Sequence, residues 1–225
     1  MMPLLINKKI IIYLSLFFLF VTVNNQVLNK LSFPKINFIK IIGLNSEESQ
    51  NLLKKLNYLK LQNLFFLDKN NIKKNINSNE IIDEFSIFKN YPSTLEIKII
   101  KTQLIARTNK NGINYFIGSN GKLIKSDYII SNLPFIVGNF DNREFMNLKK
   151  IIVKSNFDFE SIKKLYFYSS KRWDIETIDG LIIKLPTDDL NQSLNLLILL
   201  LDKYKSQDIK LIDLRQKNQV IINEK

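Results

Sequence analysis

Residues 82–102, IDEFSIFKNYPSTLEIKIIKT, predict two strands joined by a turn and decide how the first half of the chain is organised. The stretch from Thr94 to Thr102 alternates apolar residues with Glu96 and Lys98, which is the period of a strand with one buried face. Asn90 to Ser93 contains a proline between polar residues and predicts the turn.

Two helices and a strand are predicted before this segment. Asn45 followed by Glu48 is a capping-box pattern, so a helix should begin at about Ser46, and Asp68 can cap a second helix. The expected elements are a β-rich segment from Phe33 to Ile42, which Gly43 ends, and helices at about Ser46 to Leu56 and Lys69 to Asn77. The predicted order over residues 33–102 is therefore β-α-α-β-β.

The second half predicts short strands interrupted by two helices. Asn120–Gly121 and Asp179–Gly180 are turn signals between strands, the second being a strong hairpin signal. Helices are expected at about Arg143 to Lys154 and Asp188 to Tyr204. The second is rich in leucine but too short and too charged at its ends for a membrane span, so it should be a buried amphipathic helix. The predicted strands are Asn114 to Ile117, Lys122 to Ile124, Phe135 to Val137, Leu165 to Tyr168, Trp173 to Ile178, Leu181 to Leu185, Ile209 to Leu214 and Gln219 to Ile222.

The composition argues against catalysis and against a nucleic-acid partner. The chain has no histidine and no cysteine, which removes the commonest general base, typical zinc ligands and thiol nucleophiles. The net charge of +12 comes from lysines scattered along the chain, which we assign to the solvated surface. Aromatic and basic residues interleave from Tyr166 to Trp173 as in single-strand nucleic-acid platforms, but the two faces of paired strands explain the same pattern.

One enzymatic pattern remains as a remote alternative. Ser161 and Lys164 fit the Ser-x-x-Lys pattern of a Ser-Lys hydrolase, yet the partner motifs Ser-Asp-Asn and Lys-Thr-Gly are missing and Ser161 falls where a strand should begin. Asp188 and Asp189 are better explained as complements of a helix dipole than as a catalytic pair. No catalytic, cofactor-binding or metal-binding residue is assigned, and no small-molecule substrate is expected.

An apolar block from Ile10 to Val23 follows Lys8 and Lys9, and no charge occurs again before Lys30. A helix over residues 10–28 is long enough to cross a bilayer core of about 30 Å. A cleaved signal peptide and a buried helix are the alternatives, but no small-residue cleavage site follows the block. We expect an uncleaved anchor with residues 1–9 in the cytoplasm, although lysines on both sides leave the charge bias nearly balanced.

Several short motifs occur in a specific order along the chain: Ile39 to Gly43, Phe85 to Ile97, Tyr115 to Gly121, Leu133 to Gly138, Arg172–Trp173 with Gly180 and Leu185–Pro186, and Asp213–Leu214–Arg215. Each motif is weak alone. Together they resemble the FtsQ/DivIB family of bacterial cell-division proteins, over nearly the whole chain.

The resemblance implies an α+β fold with a single N-terminal transmembrane helix, a POTRA domain of order β-α-α-β-β, and then a mostly antiparallel β domain with two helices. The implied division is a cytoplasmic tail at 1–9, a transmembrane anchor at 10–28, the POTRA domain at 33–102 and the FtsQ-type β domain at 103–225. The implied location is the bacterial inner membrane at the division septum, with the bulk of the chain periplasmic or extracytoplasmic.

The resemblance also implies a function, that of a non-catalytic bitopic scaffold of the divisome. Its partners would be FtsB and FtsL, small coiled-coil division proteins that are DivIC-like in some bacteria, bound by β-strand addition to the last strand. The chain ends soon after that strand, so we expect no later element to cover it. The expected partner-binding residues are Arg215, Gln216, Asn218, Gln219, Val220, Ile221 and Ile222. The alternative is another POTRA-containing envelope transport or assembly accessory protein.

Overall fold

The computed structural model describes residues 8–23, 34–126, 130, 132–204, 209–217 and 219–224. After helix α1 (Lys8–Val23), the described chain forms two successive units, each a sheet with helices packed on it. The first unit contains β1 (Phe38–Ile42), α2 (Ser46–Leu56), α3 (Lys69–Asn77), β2 (Ile82–Asn90) and β3 (Thr94–Lys101). The second contains β4 (Leu104–Lys110), β5 (Ile113–Gly118), β6 (Leu123–Lys125), β7 (Phe135–Val137), α4 (Asn142–Lys154), β8 (Ile162–Phe167), β9 (Trp173–Thr177), β10 (Ile182–Lys184), α5 (Leu190–Lys203), β11 (Ile209–Asp213) and β12 (Ile221–Glu224).

The first unit has the predicted β-α-α-β-β order. Its three-stranded sheet is ordered β1-β3-β2, with β1 parallel and β2 antiparallel to β3. The alternation along β3 places Leu95 and Ile97 on the buried face, since successive side chains of a strand point to opposite sides. Leu52 and Leu56 of α2 and Ile72 of α3 complete the same core.

Both helices of this unit begin at the predicted caps. The Asn45 side chain accepts the Glu48 N–H at 2.8 Å, and the Glu48 carboxylate accepts the Asn45 N–H at 2.9 Å. The Asp68 carboxylate accepts the Asn70 N–H at 2.8 Å. These N–H groups have no acceptor within the helix, so the caps determine where each helix starts. The predicted bounds of both helices are confirmed.

The second unit is built on a nine-stranded sheet of order β12-β11-β10-β9-β8-β7-β4-β5-β6. The pairs β4–β7, β7–β8 and β10–β11 are parallel and the other neighbouring pairs are antiparallel, so the expectation of a mostly antiparallel sheet is confirmed. Helix α4 connects β7 to β8, and α5 connects β10 to β11. Parallel neighbours need such crossover connections, which explains both helices.

One row of side chains crosses the buried face of this sheet. Ile136, Leu165, Ile175, Ile183 and Ile212 stand opposite one another on β7 to β11, and each is almost fully buried. The helix side chains that pack against the row are Phe145, Leu148, Ile152, Leu194 and Leu197. The two helices therefore bury one face of the sheet, and the charged side chains of the same strands lie on the other face.

The sequence expectations failed in several places: the first strand begins at Phe38 and not at Phe33, and β8 begins at Ile162 and not at Leu165. Strand β4 was not predicted, because a register irregularity between Leu104 and Ala106 breaks the period of two. The last strand covers Ile221–Glu224 instead of beginning at Gln219. Helix α5 is not buried all along its leucine run, since Leu196 and Leu199 are exposed.

Helix α1 carries the apolar block, with exposed side chains from Ile10 to Val21, and is 16 residues long. Within the described residues, no helix has both the length and the apolar character that a membrane crossing requires. The predicted anchor continues to residue 28, and its residues 24–28 lie outside the described residues.

A polar junction connects the two units. The Asn120 side-chain amide donates to the carbonyls of Glu80 and Ile82 at 3.0 and 2.9 Å, and the Lys122 ammonium donates to the carbonyls of Asn77 and Asn79 at 2.6 and 3.1 Å. The turn predicted at Asn120–Gly121 thus also holds the end of the first unit, a role that only the packing of the two units reveals.

Candidate partner-binding edge and groove

Strand β12 is the outermost strand at one side of the nine-stranded sheet. It pairs antiparallel with β11, with Ile221 opposite Asp213 and Ile222 opposite Ile212. None of the described strands pairs with its other side. An edge of this kind offers backbone N–H and C=O groups to an added strand.

The hydrogen bonds and pairing of β11 show which way the backbone N–H and C=O groups of β12 point. The Leu214 N–H donates to the Lys184 carbonyl of β10 at 2.9 Å, so the backbone of Leu214 faces β10. Because facing alternates along a strand, Asp213 faces β12, and its opposite residue Ile221 faces β11 in return. The backbone N–H and C=O of Ile222 therefore point outward, as the next residue in the alternation.

A groove of about 590 Å³ lies next to the segment that leads into β12. Its walls come from three parts of the chain: the end of the β8–β9 connection, the start of α5 and the segment between β11 and β12. The lining residues are Ser170, Arg172, Pro186, Thr187, Asp188, Asp189, Gln192, Ser193, Leu196, Leu214, Arg215, Gln216, Lys217 and Gln219. The groove thus combines two arginines with one exposed leucine, close to the start of β12.

Both groove arginines are held by aspartates of the sheet. The Arg215 guanidinium is bidentate to Asp213, with Nε–Oδ1 at 2.8 Å and Nη2–Oδ2 at 2.5 Å, and its hydrogen bonds lower the pKa of the Asp213 carboxyl. Arg172 pairs with Asp174, with Nε–Oδ1 at 3.1 Å, and lies over the Tyr168 ring at 4.4 Å from its centroid. Both guanidinium groups are therefore fixed in position at the wall of the groove.

The structure places five of the seven predicted partner-binding residues at the groove or on β12. Arg215, Gln216 and Gln219 line the groove, and Ile221 and Ile222 belong to β12. Val220 is half-buried against the core, and Asn218 lies outside the described residues.

The sequence interpretation does not assign Arg172 or Leu196 to this site. In the sequence analysis, Arg172–Trp173 is used only as a motif of the family. Leu196 belongs to a run of leucines, and which of them are exposed depends on how α5 packs.

The Ser-x-x-Lys pattern does not assemble in the structure. The Ser161 hydroxyl donates to the Asp158 carbonyl at 2.6 Å, and the Lys164 ammonium lies 3.4 Å from the Glu176 carboxylate. Ser161 ends a short 3₁₀ turn just before β8, so the two residues do not share a helix face as that motif requires.

A charged cluster occupies the polar face of the sheet, away from α4 and α5. The Tyr166 hydroxyl donates to the Glu176 carboxylate at 2.6 Å, and the Lys163 ammonium lies 2.9 Å from it. The tyrosine hydrogen bond is the main cause that lowers the pKa of Glu176 to about 2, and the same bond raises the pKa of Tyr166 to about 12.

Replacement of Tyr166 by phenylalanine should reduce the free energy of unfolding at neutral pH by about 1 kcal/mol, less than a buried charged hydrogen bond because this pair is partly solvated. A carboxyl whose pKa is lowered on folding contributes stability above its unfolded pKa of 4.5 and loses it as the pH falls toward about 2. The variant should therefore lose less stability than the wild type between these pH values. Urea unfolding at pH values of about 4.5 and about 2 measures the loss of stability. Tyr168→Phe is the matched control and is expected to behave as the wild type. An unchanged acid dependence in Tyr166→Phe would contradict the assignment.

Both units match models of known protein families. Residues 35–101 match the family model described as POTRA domain, FtsQ-type, and residues 106–215 match that described as Cell division protein FtsQ/DivIB, C-terminal. The architecture is therefore that of a POTRA-bearing protein with a second, larger sheet unit, and it is α+β as expected. The chain belongs to the FtsQ/DivIB family of cell division proteins.

Individual relatives are distant and mostly longer. The chain is 25% identical over 150 residues to cell division protein FtsQ of Bradyrhizobium diazoefficiens, covering 64% of this chain and 44% of that protein. It is 27% identical over 149 residues to FtsQ of Rhizobium radiobacter, covering 63% and 69%, and 26% identical over 150 residues to FtsQ of Rickettsia bellii, covering 65% and 56%. The aligned region thus spans less than half of the Bradyrhizobium protein.

Solved structures are also similar to part of the chain, and we describe one of them. It is the major extracytoplasmic domain of the trans isomer of DivIB from Geobacillus stearothermophilus, at 12% identity and a TM-score of 0.35, covering 46% of this chain and 94% of that one. At this TM-score, the family assignment depends on the sequence matches alone.

Proposed function

We propose that this protein is a non-catalytic scaffold of the bacterial division machinery. In this proposal residues 10–28 anchor it in the inner membrane, residues 33–102 and 103–225 form its two exported domains, and it acts at the septum. Membership in the FtsQ/DivIB family supports this role over that of an envelope transport accessory protein.

The observation that carries the proposal is the outer edge of β12. We infer that a segment of a small coiled-coil division partner of the FtsB or FtsL type adds to this edge as a further strand. The match to the family ends at residue 215, so β12 is proposed as the binding strand from the sheet order and backbone directions of this chain. Main-chain pairing gives affinity in such complexes, and neighbouring side chains give specificity.

The adjacent groove supplies that specificity. The Arg172 and Arg215 guanidinium groups, already oriented by Asp174 and Asp213, present donors to an acidic partner side chain as well. Charge-assisted hydrogen bonds of this type are stronger than neutral ones. The exposed Leu196 offers an apolar contact on the wall that α5 forms. The site therefore fits an extended segment with an acidic residue beside an apolar one.

Truncation of the full chain after Leu214 tests the site. It removes β12 and Arg215 together, so we expect co-purification with FtsB- and FtsL-type partners from detergent-solubilised membranes to be lost. Phe145, Leu148 and the other core residues remain, so thermal unfolding should still show a cooperative transition. Partner recovery equal to that of the full chain would remove the assignment of the site.

A further inference from the structure

A group of exposed apolar side chains lies at one end of the first unit. Leu61, Phe65, Phe66 and Tyr91 are 75%, 49%, 79% and 57% exposed, and we refer to them as the end patch. The rings of Phe65 and Tyr91 are in contact, with centroids 4.9 Å apart. Single exposed apolar residues are ordinary on protein surfaces, but a contiguous group with three aromatic rings marks an interaction site.

A turn at Asn63 exposes the two phenylalanines of the end patch. The Asn63 side chain accepts the N–H groups of both Phe65 and Phe66, at 3.0 and 3.2 Å. This turn satisfies the backbone donors locally and presents two consecutive phenylalanines. Leu64 and Leu67 on either side are buried and fasten the turn to the core. The exposure of the rings is thus built into a well-anchored turn.

The end patch surrounds the point where the chain enters the first unit. The Ile36 N–H donates to the Gln62 carbonyl, and the Asn37 N–H donates to the Ser93 carbonyl, both at 2.9 Å. The entering chain therefore lies between the two parts of the patch. Residues 24–33 connect it to helix α1 and can reach at most about 40 Å when extended.

The second unit is attached at the opposite end. Strand β3 starts at Thr94, beside Ser93, and its 8 residues carry the chain roughly 25 Å before the polar junction with the second unit. At that far end the Thr102 and Ser119 hydroxyls are 3.0 Å apart. The end patch thus lies at the end where the chain from α1 enters the first unit, away from the larger sheet.

We propose that the end patch inserts into the headgroup region of the same lipid bilayer that holds α1, an inference that depends on the proposed membrane anchor. Aromatic side chains favour the interface between lipid and water, where flat rings replace water at the headgroups. The segments that form and flank the patch, residues 34–38, 60–66 and 90–93, contain Lys35 and Lys60 and no carboxylate. That charge suits a bilayer with anionic headgroups. Insertion would fix the orientation of the first unit on the membrane.

Site-specific fluorescence in the full chain tests the inference, because the chain has no native cysteine. Gln62→Cys, labelled with an environment-sensitive NBD dye, reports from within the end patch and leaves its four side chains intact. Ile100→Cys, exposed near the opposite end of β3, is the matched control. Both are reconstituted in phosphatidylcholine–phosphatidylglycerol vesicles with headgroup-region spin-labelled lipid, and vesicle flotation reports the anchor separately. We expect the dye at position 62 to lose most of its fluorescence and the dye at position 100 to lose little.

The outcomes separate the two proposals. Leu61→Ser combined with Phe66→Ser, in the Gln62→Cys chain, should abolish the quenching while the protein still floats with the vesicles. Flotation with equal quenching at positions 62 and 100 would overturn membrane insertion of the patch and leave the anchor standing. If quenching is absent and the unlabelled Gln62→Cys chain crosslinks through its free thiol in a concentration-dependent way, the patch would be assigned to a second copy of the chain, which would also overturn the inference. Failure to float would overturn both the anchor and the insertion.

Discussion

Gly138→Ala is expected to destabilise the second unit by about 3–5 kcal/mol, at the upper end of what single substitutions cost. Gly138 has a φ of +111°, and a Cβ there would lie 2.2 Å from the backbone carbonyl oxygen of Phe167. Gly138 directly follows β7 and Phe167 is the last residue of β8, so neither can move away without disturbing the pairing of these strands. Urea unfolding followed by circular dichroism measures the loss.

Gly180→Ala separates backbone strain from steric overlap. Gly180 also has a positive φ, +91°, but nothing lies within 4 Å of the position that a Cβ would occupy there. The substitution should cost only about 1–2 kcal/mol, which is the penalty of a left-handed conformation for an L-residue. Equal losses at positions 138 and 180 would show that the close approach to Phe167 does not matter.

Ile222→Pro is expected to weaken partner binding by at least about tenfold while the fold persists, a loss of about 1.4 kcal/mol or more. The N–H of Ile222 points away from β11, so proline removes a donor that only an added strand would use. Affinity for the partner segment, measured by calorimetry or by titrated pulldown, tests this directly.

Two neighbouring variants control for other effects of the substitution. Ile222→Ala removes the side chain but keeps the N–H, and it should bind the partner nearly as well as the wild type. Ile221→Pro removes an N–H that faces β11, so it should lower stability by disrupting the β11–β12 pair. Binding by Ile222→Pro that equals binding by Ile222→Ala would rule out backbone pairing at this edge.

The first unit could be predicted closely from the sequence because its signals are local. The capping box at Asn45 and Glu48 satisfies N–H groups within one turn, and the alternation along β3 records which side is buried. The order of the elements followed from the same local signals, and the family can be identified from the short motifs without any geometry. Local rules failed at β4, where a register irregularity removed the pattern that marks a strand.

The candidate site could be predicted only in part. Its C-terminal position followed from the strand pattern and the resemblance, but Arg172, Leu196 and the pairing of Arg215 with Asp213 did not. These groups come from separate parts of the chain and meet only because β9, β10 and β11 are neighbours. No local pattern encodes which strands become neighbours through a crossover helix.

By itself, the sequence determined the caps, the alternating strands, the apolar N-terminal block, the absence of histidine and cysteine, and the family. The caps and strands depend on hydrogen bonds and side-chain alternation within a few residues. The composition and the family motifs are properties of the sequence itself, so none of these features requires the fold. The tertiary structure alone decided that Ile222 faces outward, that Arg215 is clamped by Asp213, and that the end patch surrounds the point where the chain enters the first unit. Each of these depends on which distant segments pack together, and the burial that drives packing is a property of the whole molecule.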